Sequence, residues 1–158
     1  MQRHVDLLAV TGKGLINAVV DDLVRQGKVL YVGISDTPAW EVSRANTLAA
    51  LRGWTPFVGL QIRYSLADRA AERELLPMAK ALDLAVTPWD TLASGVLTGK
   101  YNRDPELRGR ATLRDRISPR ALAIAEEVVK LAEQIGRTPA QVALGVEVFF
   151  HSAHKRLV

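Results

Sequence analysis

Apolar residues along this chain fall into two alternating patterns. Three short runs are nearly continuous: Val29-Leu30-Tyr31-Val32-Gly33-Ile34, Phe57-Val58-Gly59-Leu60-Gln61-Ile62 and Leu84-Ala85-Val86-Thr87-Pro88-Trp89. Their starts lie 28 and 27 residues apart. Between them Trp40, Val42, Ala45, Leu48, Ala49 and Leu51 follow helical spacing, as do Leu75, Leu76, Met78, Ala79 and Leu82. Strands that alternate with helices at this interval predict parallel βα units. Strands this apolar are expected to be covered on both faces. Val5 to Val10 is a candidate preceding strand, followed by a helix over about Leu15 to Gln26 that closes at Gly27.

Polar punctuation sharpens the helix boundaries. Thr37-Pro38 reads as an N-cap followed by proline at the first helical position. The next helix is expected to begin at Asp68 or Ala70, with Glu72 and Glu74 near its positive end. Ser118-Pro119 opens an amphipathic helix that runs to about Ile135 and closes at Gly136. Thr138-Pro139-Ala140-Gln141 has capping-box spacing. Residues 102–117 are dense in charge and read as a mobile surface loop.

Composition excludes several classes. The 21 basic and 17 acidic residues give a net charge of +4, and they are interspersed. No run of Lys or Arg marks a nucleic-acid or membrane patch. Cysteine is absent, which removes disulfides, thiolate metal sites and a cysteine nucleophile. His4, His151 and His154 all lie near the termini, so no metal site is expected. No apolar run approaches the roughly 20 residues of a membrane span. A cytoplasmic protein is the expectation.

In βα folds, ligands meet the C-terminal ends of the strands. Here those ends carry Ser35-Asp36, Gln61, and the stretch from Trp89 through Asp90, Thr91, Leu92, Ala93 and Ser94 to Lys100. Hydroxyls and exposed N–H groups in such a stretch can hold phosphate oxygens, and Lys100 can add countercharge. Each residue also has a plain reading. Ser35-Asp36 is good helix-entry chemistry, and a lone Gln61 commonly serves local hydrogen bonding. Gly95 and Gly99 match no nucleotide-loop motif. Tyr31, Phe57, Tyr64 and Trp89 read as core or strand residues.

Longer runs resolve the choice. Asp21-Asp22-Leu23-Val24-Arg25-Gln26-Gly27-Lys28 and on through Ser35-Asp36 closely resembles the aldo-keto reductase family. So do Pro56-Phe57-Val58-Gly59-Leu60-Gln61, Tyr64-Ser65-Leu66 and Gly95-Val96-Leu97-Thr98-Gly99-Lys100-Tyr101. The resemblance covers about residues 20–145 and is nearest to the bacterial branch that includes potassium-channel β-subunit-like proteins. It implies a (β/α)8 barrel and carbonyl reduction with NADP(H). By resemblance, Ser35, Asp36 and Gln61 hold the nicotinamide carboxamide and Trp89 lies beside the ring. Asp90, Thr91, Leu92, Ala93 and Ser94 wrap the pyrophosphate, and Lys100 approaches the phosphates.

The departures are as specific as the matches. The matched region resembles the second half of the barrel, so the family's catalytic Asp, Tyr and Lys have no counterpart and no catalytic residue is assigned. Thr11 falls where the family has its catalytic His, and a hydroxyl cannot replace an imidazole as proton donor at neutral pH. Asp90 stands where the family usually has serine, and a carboxylate there is expected to repel phosphate. Residues 146–158 match nothing in the family pattern. The expected fold is therefore α/β: a single partial TIM barrel over residues 1–158, with four to five parallel βα units. A complete barrel takes about 250 residues. Open barrel edges imply self-association or a partner. The implied activity is that of a carbonyl oxidoreductase with little turnover by this chain alone. The alternatives are a non-catalytic half-barrel that assembles or regulates, and a vestigial fragment.

Overall fold

Four strands alternate with three helices in the first part of the chain, as the apolar periodicity requires. They are β1 (Leu7–Val10), β2 (Tyr31–Ser35), β3 (Gly59–Arg63) and β4 (Ala85–Trp89), interleaved with α1 (Ile16–Arg25), α2 (Ala39–Arg52) and α3 (Leu75–Ala81). In this computed structural model the backbone is described over residues 7–10, 16–113 and 115–154, and side chains over 17–113 and 115–146. The chain forms two compact units. One comprises Met1–Ile62 and Ala71–Thr87, the other Arg63–Ala70 and Pro88–Val158.

The first unit is built on the sheet, whose strand order β1-β2-β3-β4 follows chain order. β1 and β2 pair in parallel from Leu7↔Tyr31 to Val10↔Ile34. β2 and β3 pair in parallel from Gly33↔Gly59 to Ser35↔Gln61. The Val58 N–H donates to the Val32 carbonyl, and the Ala85 N–H donates to the Val58 carbonyl, each at 2.9 Å. Side chains alternate between faces, as they must along a strand. Val32, Ile34, Leu60 and Ile62 are buried, together with Val42 and Ala49 of α2 and Met78 and Ala79 of α3. The opposite face carries exposed Tyr31, Gln61, Ala85 and Thr87. The expectation of strands covered on both faces is thereby corrected: one face is covered and the other open. Tyr31, expected in the core or a strand, is in a strand but 54% exposed. Its register sends it to the open face.

Side chains tie the helices to the connections between strands. Asp21 of α1 accepts from the Thr55 N–H at 2.8 Å and from the Thr55 hydroxyl at 2.9 Å. The Arg25 guanidinium, one helical turn on, pairs with the other Asp21 oxygen and donates to the Gly53 carbonyl. Asn46 of α2 takes both main-chain groups of Phe57, accepting from its N–H at 2.9 Å and donating to its carbonyl at 3.0 Å. That satisfies a backbone position just before β3 that has no ladder partner on this side.

Two helix starts differ from the sequence reading. Pro38 is the N-cap of α2, with φ −56 and ψ 145, and not its first helical residue. The Thr37 hydroxyl donates to the Ser35 carbonyl at 2.9 Å, so it closes the turn after β2 and caps nothing. The third helix starts at Leu75, and Ala70–Glu72 form a separate 3-10 turn before it. The expected end of α1 is observed, with Gly27 at φ 69 following Arg25.

The second unit packs two long helices, α6 (Pro119–Gln134) and α7 (Pro139–His154), around a 3-10 stretch over Ala93–Thr98. Two short helices lie between, α4 (Lys100–Arg103) and α5 (Arg110–Leu113). The core includes Val96, Leu97, Tyr101, Ala125, Val128 and Ala143. Small residues set its spacing. A Cβ on Gly99, at φ 74, would collide with Val129 Cγ2 on α6. Both long helices start as their caps predict. The Ser118 hydroxyl accepts from the Ala121 N–H at 3.1 Å. Thr138 and Gln141 exchange side-chain and main-chain bonds at 3.0 and 3.2 Å.

The charge-rich stretch 102–117, expected as a loop, contains the end of α4 and all of α5. Local contacts order it. The buried Tyr101 hydroxyl accepts from the Ala111 N–H at 3.2 Å, and Thr112 caps the same turn through the Gly109 N–H and the Leu107 carbonyl. The tail that matched no family pattern carries α7 on to His154, and residues 155–158, like Val5, Thr11 and His4, lie outside the described residues. Among the described residues no helix is long and apolar enough to cross a membrane.

Two stability outcomes follow from these contacts. Gly136 is also left-handed but meets open space. Gly136→Ala is expected to cost about 1–2 kcal/mol from backbone conformation alone. Gly99→Ala must also displace Val129, which adds about 1–3 kcal/mol of overpacking; urea midpoints of the two variants measure the difference. The second outcome concerns Asp21. Burial pushes its carboxyl up, but the Thr55 and Arg25 contacts outweigh burial and hold it below the ordinary carboxylate value. A depressed carboxylate stabilises the fold above the unfolded value of about 3.9, and that stabilisation is lost as pH falls through the folded value. Thermal melts across this range are expected to show a steeper acid loss in the wild type than in Asp21→Asn, which is less stable near neutrality.

Candidate functional site

The strand ends where ligands are expected are built from residues in uncommon backbone conformations. Asp36 follows β2 at φ 48, and Asp90 follows β4 at φ 57. Aspartate tolerates this left-handed region better than most residues because its short side chain can bond locally. Each sharp turn leads the chain off the sheet immediately after the last strand residue.

In the first unit the sheet register brings Ser35 and Gln61 side by side as cross-strand partners. Ser35 is 5% exposed, and Gln61 is on the open face. Among the described residues neither the Ser35 hydroxyl nor the Gln61 carboxamide has a hydrogen-bond partner. A buried hydroxyl without a partner is costly, so it is a natural acceptor and donor for a bound amide. Asp36 is exposed beside them.

In the second unit the centre is Asp90. One carboxylate oxygen accepts from the Ser94 N–H at 2.6 Å and from the Ser94 hydroxyl at 3.0 Å. The other accepts from Arg63 Nε at 3.2 Å. Arg63 Nη1 lies 3.1 Å from the Asp68 carboxylate, so one guanidinium bridges two acids. The Arg63 guanidinium carbon stands 6.0 Å from the centre of the Trp89 ring, within cation–π range. Burial pushes the Asp90 carboxyl up, but Ser94 and Arg63 outweigh it and hold the group below the usual carboxylate range. Arg63 thus offsets part of the charge that the sequence reading expected to repel phosphate, shared as it is between Asp90 and Asp68.

The turn after Asp90 is left-handed over three successive residues, Ala93 at φ 49, Ser94 at φ 56 and Gly95 at φ 92. Its amides point inwards. The Ala93 N–H donates to the Asp90 carbonyl, Ser94 to the Asp90 side chain and Gly95 to the Leu92 carbonyl. Among the described residues the Thr91 and Leu92 N–H groups and the Thr91 hydroxyl are not engaged. Lys100 lies against Gly95: a Cβ there would be 3.1 Å from Lys100 Cε and 3.2 Å from Nζ. Its ammonium also sits 5.0 Å from the Tyr101 ring centre. Among the described residues Lys100 has no ion-pair partner. A half-buried cation with no acid beside it, next to unengaged amides, suits an anion.

The sequence-predicted residues therefore form two groups, Ser35 with Asp36 and Gln61 in the first unit, and Trp89 to Ser94 with Lys100 in the second. Sequence reasoning placed Arg63 at a strand end without giving it a role, and read Asp68 only as a possible helix start. A signal was present: Arg63 stands 27 residues before Asp90, matching the βα interval, so both fall just at the ends of successive strands. Among the described residues there is no group of three or more His, Asp or Glu side chains that could hold a metal ion.

Comparison with known proteins identifies the family. The sequence pattern of the Aldo/keto reductase family matches residues 15–145. A probable aryl-alcohol dehydrogenase of Saccharomyces cerevisiae is 37% identical over 129 residues, which is 77% of this chain and 39% of the yeast protein. The NADP(+) aryl-alcohol dehydrogenase of Phanerodontia chrysosporium is 41% identical over 87 residues, covering 55% of this chain and 23% of that protein. Norsolorinic acid reductase of Aspergillus flavus is 45% identical over 98 residues, covering 58% and 25%. These relatives are fungal, whereas the sequence motifs pointed to a bacterial branch. The chain spans well under half the length of each. The open parallel sheet is consistent with part of a (β/α)8 barrel, and by the extent of the family match the chain belongs to the aldo/keto reductase family.

Proposed function

We propose that this chain carries the cofactor side of an NADP(H)-dependent oxidoreductase that interconverts aromatic alcohols and the corresponding aldehydes. The observation that carries the reading is the cross-strand pair of Ser35 and Gln61, a buried hydroxyl and a carboxamide in register, both without a hydrogen-bond partner among the described residues. The names of the fungal relatives supply the substrate class and the phosphorylated cofactor. When bound, the cofactor supplies or takes the hydride: alcohol and NADP+ give aldehyde, NADPH and a proton.

Each group of residues then has a role. In the first unit Ser35 and Gln61, with Asp36 beside them, hydrogen-bond the nicotinamide carboxamide, which selects the ring face presented to substrate. In the second unit Trp89 offers an aromatic face beside the turn. Thr91 and Leu92 offer unengaged amides to the pyrophosphate, and Lys100 offsets its charge. Ala93 and Ser94 shape this turn with Asp90, since their own amides are engaged within it.

None of these residues stands at a position from which the family delivers the proton, and Thr11 stands where the family's His is expected. The chain alone is therefore proposed to have little turnover. A second reading, self-association, draws on the open sheet face with its exposed Tyr31, Gln61, Ala85 and Thr87. Sedimentation equilibrium decides it: a monomer at tens of micromolar protein removes this reading.

Nucleotide titration followed by tryptophan emission tests the main reading. NADP+ is expected to quench the signal saturably. Gln61→Ala is expected to weaken binding about three- to tenfold, the size of one neutral hydrogen bond. Lys100→Ala is expected to weaken it about tenfold or more, because a charge-assisted contact is lost. No saturable change with NADP+ or NADPH would remove the cofactor reading.

A further inference from the structure

Arg63 is not used by any role given above, yet it joins more of the second unit's strand-end structure than any residue assigned to the cofactor. Its side chain is 24% exposed, and so needs partners for its charge. It has two, and they come from different segments. Nη1 meets Asp68 at 3.1 Å, and Nε meets Asp90 at 3.2 Å. Asp68 is itself held in place, because its N–H donates to the Ser65 hydroxyl at 3.1 Å and the two residues exchange main-chain bonds at 3.0 Å. Asp90 is held by Ser94 through its other oxygen. The guanidinium carbon faces the Trp89 ring at 6.0 Å, and the Trp89 carbonyl accepts from the N–H of Tyr64, the residue after Arg63, at 3.2 Å. A planar fork can satisfy two acids in different directions while facing a ring; a lysine ammonium is a point charge on a flexible stem and cannot reproduce that geometry.

We infer that Arg63 is a positioning residue, which orients the Trp89 ring and the Asp90–Gly95 turn for nucleotide without contacting the nucleotide itself. The inference rests on the cofactor reading for its effect on affinity. Its effect on Trp89 stands apart from that reading.

The test uses the full chain with Trp40→Phe and Trp54→Phe, so that Trp89 alone emits, and adds Arg63→Met, Arg63→Lys or Asp68→Asn. Two quantities are read: acrylamide quenching and emission maximum of Trp89 without ligand, and the dissociation constant for NADP+. Arg63→Met is expected to raise the quenching constant about twofold, to shift the emission and to weaken NADP+ at least fivefold. Arg63→Lys is expected to fall between parent and Arg63→Met in both. Asp68→Asn, which keeps size and an accepting oxygen but removes the charge of one partner, is expected to move Trp89 in the same direction by less. If Arg63→Met does not fold, the Lys and Asn variants carry the test with the same ordering. Unchanged Trp89 quenching and emission in these variants overturns the inference. So does altered quenching with unchanged NADP+ affinity. If the parent protein binds no NADP+, the cofactor reading fails, and the positioning role is decided by Trp89 quenching and emission alone.

Discussion

The Asp90 carboxylate is the constraint on which the second unit's strand end depends. Three successive residues, Ala93, Ser94 and Gly95, are left-handed. For residues with a Cβ that region costs roughly 1–2 kcal/mol each. The conformation persists because Ser94 gives both its N–H and its hydroxyl to one Asp90 oxygen while Arg63 holds the other. With the amides of Ala93, Ser94 and Gly95 turned inwards, those of Thr91 and Leu92 are left for a ligand. The side chain that looked hostile to phosphate is what shapes the turn.

The first unit has a different logic. Its sheet divides side chains strictly between a buried face and an open one. Val32, Ile34, Leu60 and Ile62 make the buried face. The open face carries a tyrosine, a glutamine and small or hydroxylated residues. Ser35 lies at the end of β2 and is buried, and in the turn that follows the Thr37 hydroxyl closes on the Ser35 carbonyl. The polar pair at the strand ends thus depends on the same alternation that gives the sheet its core.

Much of this was legible in the sequence where the signal was local. The strand interval of 27 to 28 residues gave parallel βα units, and the Ser35↔Gln61 register is consistent with it. Ser118 and the Thr138–Gln141 pair marked their helices because capping bonds span only three residues. Pro38 misled because proline is equally comfortable with φ near −60 just outside a helix or just inside it. Tyr31 misled because an apolar run does not say which of its faces is covered. The order in 102–117 was hidden because it comes from a buried phenol outside the charged stretch. Arg63 was hidden because its two acids lie 5 and 27 residues away, and nothing local distinguishes a bridging arginine from a solvated one.

Tyr101 has one more consequence. The chain between Arg103, which ends α4, and Pro119, which begins α6, is a long connection broken by the single turn of α5. The bond from the Ala111 N–H to the Tyr101 hydroxyl divides it into two short ones. The entropy of closing a loop grows with the logarithm of its length, so an anchored midpoint removes much of the wandering of both halves. Exposed Arg103, Arg108, Arg110 and Arg116 are therefore displayed from a tethered backbone. Their charges, with those of Asp104, Glu106 and Asp115, are carried on one tethered stretch of surface, so an approaching ion meets their summed field in a bounded place.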